Sequence, residues 1–225
     1  MTVPPYIYGI PAGVWRYIDR TTEKTIETNY LSELSRALSS QFVVTIIGPS
    51  RAKESDVGFD AIMAGLPPGY VLALQFKKPS IRKDGYPRFT LDVSQLQVLL
   101  DRFSRNEAFF VLAPFTRTTG FIIAHRNGDF VRETALVDIF DIPFGRKTSQ
   151  RSRTIRYIAH NRTQVTDPRR YIEIERTRSL SEIVSSVMEG RMGKKVPVEQ
   201  RVERPNREKR RYGGPNFYLH ISRRG

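Results

Sequence analysis

Residues 70–78 have the sequence YVLALQFKK, an apolar run that leads into Gln75, Phe76 and two lysines. A near-continuous apolar run of this length is typical of a strand that is covered on both faces. Because side chains alternate between the faces of a strand, Gln75 and Lys77 point to one side and Phe76 to the other. The segment therefore predicts a central strand that ends in two polar groups on one face.

The flanking segments predict an α/β fold with a mixed central sheet and flanking helices. Between Thr22 and Ser40, apolar residues recur at spacings of three and four, the pattern of an amphipathic helix. We also expect strands at residues 42–47, 57–63 and 109–113, a turn at 66–69, a solvated loop at 82–88 and a helix at 91–103. The resulting order of helix, three strands, helix and strand suits such a layered fold.

The second half of the chain has weaker patterns. We expect strands at residues 121–124, 135–140, 154–158 and 171–175, a helix at 180–189, an extended arm at 190–215 and a late strand at 217–221. The predicted organisation is an α/β core at 1–114, a basic strand-rich extension of that core at 115–189, and a basic arm punctuated by glycine and proline at 190–225.

The charge of the chain favours a polyanionic partner. The 225 residues have a formal net charge of +14. Residues 1–114 contain 13 Lys/Arg and 11 Asp/Glu, whereas residues 115–225 contain 24 and 12. An excess of this size favours nucleic acid through contacts with phosphates. A generally basic proteome and an anionic lipid surface are the alternatives at this point.

Several function classes find no support in the sequence. There is no cysteine, which excludes thiolate nucleophiles and cysteine-bound zinc and favours a cytoplasmic location. We expect no signal peptide and no membrane partner, because no apolar run approaches about 18 residues. The histidines, at 125, 160 and 220, lack a second ligand at metal-binding spacing, and no phosphate-binding loop follows a strand.

The position of Asp60 in the chain makes it the acidic residue that we expect beside Gln75 and Lys77. It belongs to the predicted strand before the central one, and the short turn between them predicts a hairpin that brings Asp60 near residues 75–77. A buried lysine beside an amide is costly unless an anionic group or a carboxylate-bound metal lies there. The alternative is that the strand has simply reached solvent at residue 75.

Asp60 followed by Gln75-Phe76-Lys77, in this order of helices and strands, resembles the PD-(D/E)XK nuclease superfamily. The likeness is to its Mrr-like group, in which glutamine replaces the second acid. The resemblance covers residues 22–114 and implies a restriction-endonuclease-like core. It further implies that Asp60, Gln75 and the Phe76 carbonyl hold Mg²⁺, for which Mn²⁺ can substitute, and that Lys77 orients or helps to deprotonate the attacking water.

The family often supplies a further glutamate from the first helix. Glu27 is the predicted residue here, because it shares a helix face with Leu31 and Leu34. Glu23 and Glu33 are less well aligned. A solvated glutamate is the alternative for all three.

Contacts with nucleic acid are predicted for exposed basic residues near the site and in the basic second half. They are Lys78, Arg82, Lys83, Arg146, Lys147, Arg151, Arg153, Lys209, Arg210 and Arg211. A solvated loop is the alternative for the first three and a solvated tail for the later clusters. Near the first of the late clusters lie Arg156 and Tyr157, a combination that can contact a phosphate backbone and stack on a base. Gln95 and Gln97 on the second helix are expected to be ordinary exposed residues, with a phosphate contact as the alternative.

The resemblance, together with the basic second half, implies a Mg²⁺-dependent endonuclease that acts on nucleic acid, in the first place DNA. A homodimer is one assembly to test. A non-catalytic nucleic-acid-binding protein with a nuclease-like fold is the main alternative. A structural protein that recruits partners is the third hypothesis, against which the polar pair Gln75 and Lys77 argues mildly.

Overall fold

The computed structural model describes residues 20–39, 42–49, 59–66, 70–81, 84–143, 151–159, 161–167, 170–174 and 177–195. The helices are α1 (Glu23–Leu38), α2 (Val93–Arg102), α3 (Thr118–Arg126), α4 (Asp129–Glu133) and α5 (Leu180–Met188), with a 3₁₀ turn at Ile139–Asp141. The strands are β1 (Thr45–Ile47), β2 (Ala61–Leu66), β3 (Tyr70–Lys77), β4 (Pro79–Ile81), β5 (Pro87–Asp92), β6 (Ala108–Leu112), β7 (Ala135–Asp138), β8 (Ser152–Ala159), β9 (Arg162–Asp167), β10 (Arg170–Ile174), β11 (Thr177–Arg178) and β12 (Lys194–Lys195).

The strands form two sheets, which confirms the predicted α/β class. The first sheet is mixed and has the order β1-β2-β3-β6-β7-β11, with β12 also paired to β3. The second is antiparallel and has the order β10-β9-β8-β5-β4. Strand β3 is antiparallel to β2 and parallel to β6, so the segment at 70–77 is the expected central strand.

Helix α1 covers one face of the mixed sheet. Thr22 is the N-cap of this helix, because its side chain accepts a hydrogen bond from the Thr25 backbone N–H. The apolar stripe of α1 packs against Leu74 and Phe76 of β3, and the Tyr30 and Phe76 rings meet edge to face at 5.9 Å. Helix α5 joins the same apolar cluster through Ile183. This packing fixes the N-terminal turns of α1 close to the end of β3.

The opposite face of the mixed sheet packs against α2 and the antiparallel sheet. Phe110 and Leu112 of β6 share a buried cluster with Leu96 of α2 and with Phe89 and Ile155 of the second sheet. Gln75 is paired in register with Phe110, so its side chain faces the α2 layer.

Several local predictions were wrong. Residues 42–44 lie outside β1, and residues 139–140 belong to the 3₁₀ turn rather than to β7. Residues 121–124 belong to helix α3 rather than to a strand, because Phe121 and Ala124, three residues apart, are both buried on one helix face. Pro87 and Arg88 begin strand β5 rather than ending a loop. Helix α2 begins at Val93, since Asp92 is still the end of β5 and caps the helix through the Ser94 and Gln95 N–H groups.

Part of the predicted C-terminal arm pairs with the central strand. Lys194 and Lys195 form β12, in register with Val71 and Tyr70. Residues 196–225, including the strand predicted at 217–221, lie outside the described residues, as do residues 67–69 of the predicted turn.

Candidate functional site

Asp60 and Gln75 meet where β2 and β3 pair. The Asp60 N–H donates to the Leu74 carbonyl at 3.1 Å, which extends the β2–β3 ladder by one residue beyond Ala61. Asp60 Oδ2 accepts hydrogen bonds from Gln75 Nε2 at 2.6 Å and from the Phe76 N–H at 2.7 Å. The hairpin therefore brings the acid and the amide together, as its predicted pairing required.

The Gln75 amide is buried, with 2% of the residue exposed. Besides Asp60, its Nε2 donates to the Phe76 carbonyl at 3.1 Å, and its Oε1 accepts from Gln95 Nε2 at 2.8 Å. The alternative that the strand reaches solvent at residue 75 is wrong. A buried amide with partners at both ends holds a defined position.

Lys77 lies among carboxylates. Its side chain is 16% exposed, and its Nζ is 3.9 Å from Glu23 Oε1. The pKa of Asp92 is lowered, chiefly by the Ser94 hydroxyl and in smaller part by the positive charge of Lys77. The same charge favours the ionised form of Asp60. The ammonium group is thus close enough to act electrostatically on both Asp60 and Asp92.

The electrostatics of Asp60 are dominated by burial, which raises the pKa of its carboxyl group. The Phe76 N–H, the Lys77 charge and the Gln75 amide act in the opposite direction. The negative charge of Glu27 adds to the rise in the pKa. A carboxylate that is poorly hydrated in this way gains from a cation placed beside it.

The three glutamates of α1 occupy different surroundings. Glu27 is 15% exposed, accepts from Lys24 at 2.6 Å and acts on the pKa of Asp60. Glu23 faces Lys77. Glu33 instead pairs with Arg36 at 2.5 Å and lines a separate cavity of about 310 Å³ with His125. Of the three, Glu27 and Glu23 are therefore the ones near the candidate site.

The available metal donors are oxygen atoms, which suit a hard cation such as Mg²⁺. They are the Asp60 carboxylate, the Phe76 carbonyl and the Gln75 side-chain oxygen. Within the described residues, no three His, Cys, Asp or Glu side chains come together in a way that could hold a metal ion. The fit rests on one observation. Gln75 Nε2, which carries a partial positive charge, donates to both the Asp60 and the Phe76 oxygens. A cation beside these two oxygens would satisfy them in the same way.

The predicted nucleic-acid contacts have different outcomes. Lys78 and Arg151 are exposed. Arg153 was expected at the surface, but it is only 6% exposed and alternates with the outward residues of β8, on the inner face with Ile155 and Tyr157. The remaining predicted contacts lie outside the described residues; they are Arg82, Lys83, Arg146, Lys147, Lys209, Arg210 and Arg211.

Two side-chain contacts were not predicted from the sequence. Gln95 is partly buried and bonds Gln75, whereas Gln97 is exposed and bonds Asp101, as an ordinary helix residue does. The aromatic partner of Arg156 is Tyr86, with the guanidinium 4.0 Å from the ring centroid. Tyr157, the predicted partner, is buried, and its hydroxyl donates to the Glu133 carbonyl.

Comparisons with protein-family models, curated proteins and solved structures found no match. In the part of the chain that the structure describes, no helix is both long and apolar enough to span a membrane.

Proposed function

We propose that the protein is a Mg²⁺-dependent endonuclease that hydrolyses phosphodiester bonds of nucleic acid, in the first place DNA. The observation that carries the proposal is the convergence of the Asp60 carboxylate, the Gln75 amide and the Phe76 carbonyl. The charges of Lys77 and Glu27 act on the same carboxylate. This set matches the Asp60 and Gln75-Phe76-Lys77 pattern that resembles the glutamine-containing PD-(D/E)XK nucleases.

In this proposal, the chain supplies the ligands from two paired strand ends. Asp60, Gln75 and the Phe76 carbonyl would hold the ion, and Glu27, whose charge acts on Asp60, would hold one of its water molecules. When bound, Mg²⁺ lowers the pKa of a water molecule and neutralises charge on the phosphodiester. The paired strands β2 and β3 hold the Asp60 carboxylate beside the Phe76 backbone before substrate arrives, and such preorganisation favours electrostatic catalysis.

Lys77 has the role of orienting the attacking water and of binding a non-bridging phosphate oxygen. Its ammonium group is mostly buried and has carboxylates on more than one side. An ammonium group at the end of the strand attracts a phosphate. Lys78 and Arg151, which are exposed, and the seven predicted basic residues outside the described part would contact the flanking backbone.

A second candidate is a nucleic-acid-binding protein without catalysis. It is favoured by the lack, among the residues described, of a group of three acidic or histidine side chains able to hold a metal. Such a protein would bind nucleic acid equally well in EDTA and would leave it intact.

The test is cleavage of a supercoiled plasmid by the purified full chain, with Mg²⁺, with Mn²⁺ and with EDTA. Asp60→Asn and Lys77→Met should each lower the cleavage rate at least about 100-fold, since each removes a group that acts on the reacting phosphate or water. Asp129→Asn and Arg132→Met are the matched controls, because they remove the same charges from an ion pair on α4.

The controls should cleave like the unmodified protein. Undiminished cleavage by both Asp60→Asn and Lys77→Met would reject the proposed site. Binding that persists in EDTA, without cleavage under any metal condition, would favour the second candidate.

A further inference from the structure

Two glutamine side chains face each other between β3 and α2, beside the candidate metal position. Gln95 lies in the first turn of α2, where its N–H contacts the Asp92 cap at 3.3 Å. Its side-chain Nε2 donates to Gln75 Oε1 at 2.8 Å. Gln75 in turn directs its own Nε2 towards Asp60 and the Phe76 carbonyl. Each amide thus donates in the direction of Asp60.

We propose that Gln95 is a positioning residue, and that the two side-chain amides reverse together when a divalent cation binds between Asp60 and the Phe76 carbonyl. This inference rests on the metal site of the proposed function. It adds Gln95, which is not one of the predicted metal ligands. Gln95 would hydrogen-bond to Gln75 in both orientations of the Gln75 amide.

Gln75 Nε2 donates to the two oxygens that a bound cation would use. The amide N–H groups and a cation therefore compete for the same two oxygens. To act as a ligand, Gln75 must turn its Oε1 towards a cation that those oxygens bind. Rotation about the last side-chain bond achieves this exchange without moving the strand, because that torsion is broad and roughly two-fold.

The rotation has a consequence for Gln95. It turns Gln75 Nε2 towards Gln95 Nε2, and two donors would then face each other in a partly buried space. An unpaired polar group in such a place is costly. If Gln95 rotates as well, its Oε1 accepts from Gln75 and the bond is restored with its direction reversed. An amide can do this because it has a donor and an acceptor at its two ends.

The first test is nuclear magnetic resonance of the full chain without nucleic acid, with Mg²⁺ as the titrant. The side-chain NH₂ resonances of Gln75 and Gln95 should shift together with one midpoint, and those of Gln97 should not. Gln97 is the internal control because it lies on the same helix and bonds Asp101. A shift for Gln75 with no shift for Gln95 would overturn the inference.

The second test is calorimetric Mg²⁺ binding by three variants. The carboxylate of Gln95→Glu can only accept, so it supports the metal-bound orientation alone, and affinity should rise about three- to ten-fold above that of the charge-matched control Gln97→Glu. Gln95→Leu loses the bond in both states, so its affinity should stay within about two-fold of the unmodified protein.

These outcomes separate the inference from the function on which it rests. If Gln95→Glu binds Mg²⁺ no more tightly than Gln97→Glu, the paired reversal is rejected while the metal site stands. If the unmodified chain produces neither heat nor shifts with Mg²⁺, the metal site and the paired reversal are rejected together.

Discussion

Replacing Asp60 should separate its structural role from its proposed catalytic role. One oxygen of Asp60 accepts from both the Phe76 N–H and the Gln75 amide. Asp60→Ala removes this acceptor. The Gln75 amide keeps the Phe76 carbonyl, but the N–H of the fully buried Phe76 loses its partner. Loss of a partner by a buried donor costs about 1–3 kcal/mol, so the free energy of unfolding should fall by about 2 kcal/mol.

Asp60→Asn should behave differently. Its carbonyl oxygen can accept both hydrogen bonds, and the neutral amide avoids the desolvation that raises the pKa of Asp60. The free energy of unfolding should therefore stay within about 1 kcal/mol of the unmodified value or exceed it, because neutralising a buried charge offsets the lost ionic hydrogen bonds. Cleavage should nevertheless be lost.

The assay is urea unfolding followed by circular dichroism in EDTA, with plasmid cleavage measured on the same preparations. Equal stability of Asp60→Ala and the unmodified protein would refute the role assigned to the two hydrogen bonds. A loss in Asp60→Asn as large as in Asp60→Ala would show that the charge, and not the acceptor, holds the strands together.

Three further predictions concern the scaffold. Tyr30→Phe should raise the free energy of unfolding by about 1 kcal/mol, because the fully buried hydroxyl has no hydrogen-bond partner among the described residues; a lower value in urea unfolding would contradict this. Ser179→Ala should lose about 1 kcal/mol, since it removes the capping box with Glu182 at the start of α5; unchanged thermal unfolding would argue against it. Burial raises the pKa of Asp138, with Asp141 adding to the rise and Arg105 opposing it. A raised carboxyl pKa contributes stability at low pH, and this contribution is lost as the pH rises through that pKa. When both proteins are unfolded at a series of pH values, the free energy of unfolding of the unmodified protein should therefore fall relative to that of Asp138→Asn as the pH increases. A relative rise with pH would contradict the assignment.

The elements that the sequence predicted well are those whose pattern is local. The apolar stripe of α1 and the apolar run of β3 can each be recognised from their own residues. The pairing of Asp60 with Gln75 follows from a short hairpin. Residues 121–124 were misassigned because a short apolar run fits a strand as well as a buried helix turn. The antiparallel sheet was predicted only in part, because β4 is short and β9 has polar residues on its outer face.

The supporting residues of the site depend on tertiary packing and could not be predicted. Gln95 contacts Gln75 only because α2 crosses the sheet at that residue, and nothing in its own segment distinguishes it from Gln97. Arg153 and Arg156 belong to one basic cluster in sequence, yet strand alternation in β8 buries the first and leaves the second on the outer face beside Tyr86. Composition indicates a basic surface without saying which side chains form it.

The most direct test of the metal site is a crystal structure of the full chain grown with Mn²⁺ and measured at a wavelength where manganese scatters anomalously. We expect an anomalous peak within coordination distance of the Asp60 carboxylate and the Phe76 carbonyl, with the Gln75 side-chain oxygen turned towards it. A crystal saturated with Mn²⁺ that shows no peak there, and in which Asp60 still accepts from the Gln75 amide, would contradict the proposed metal site.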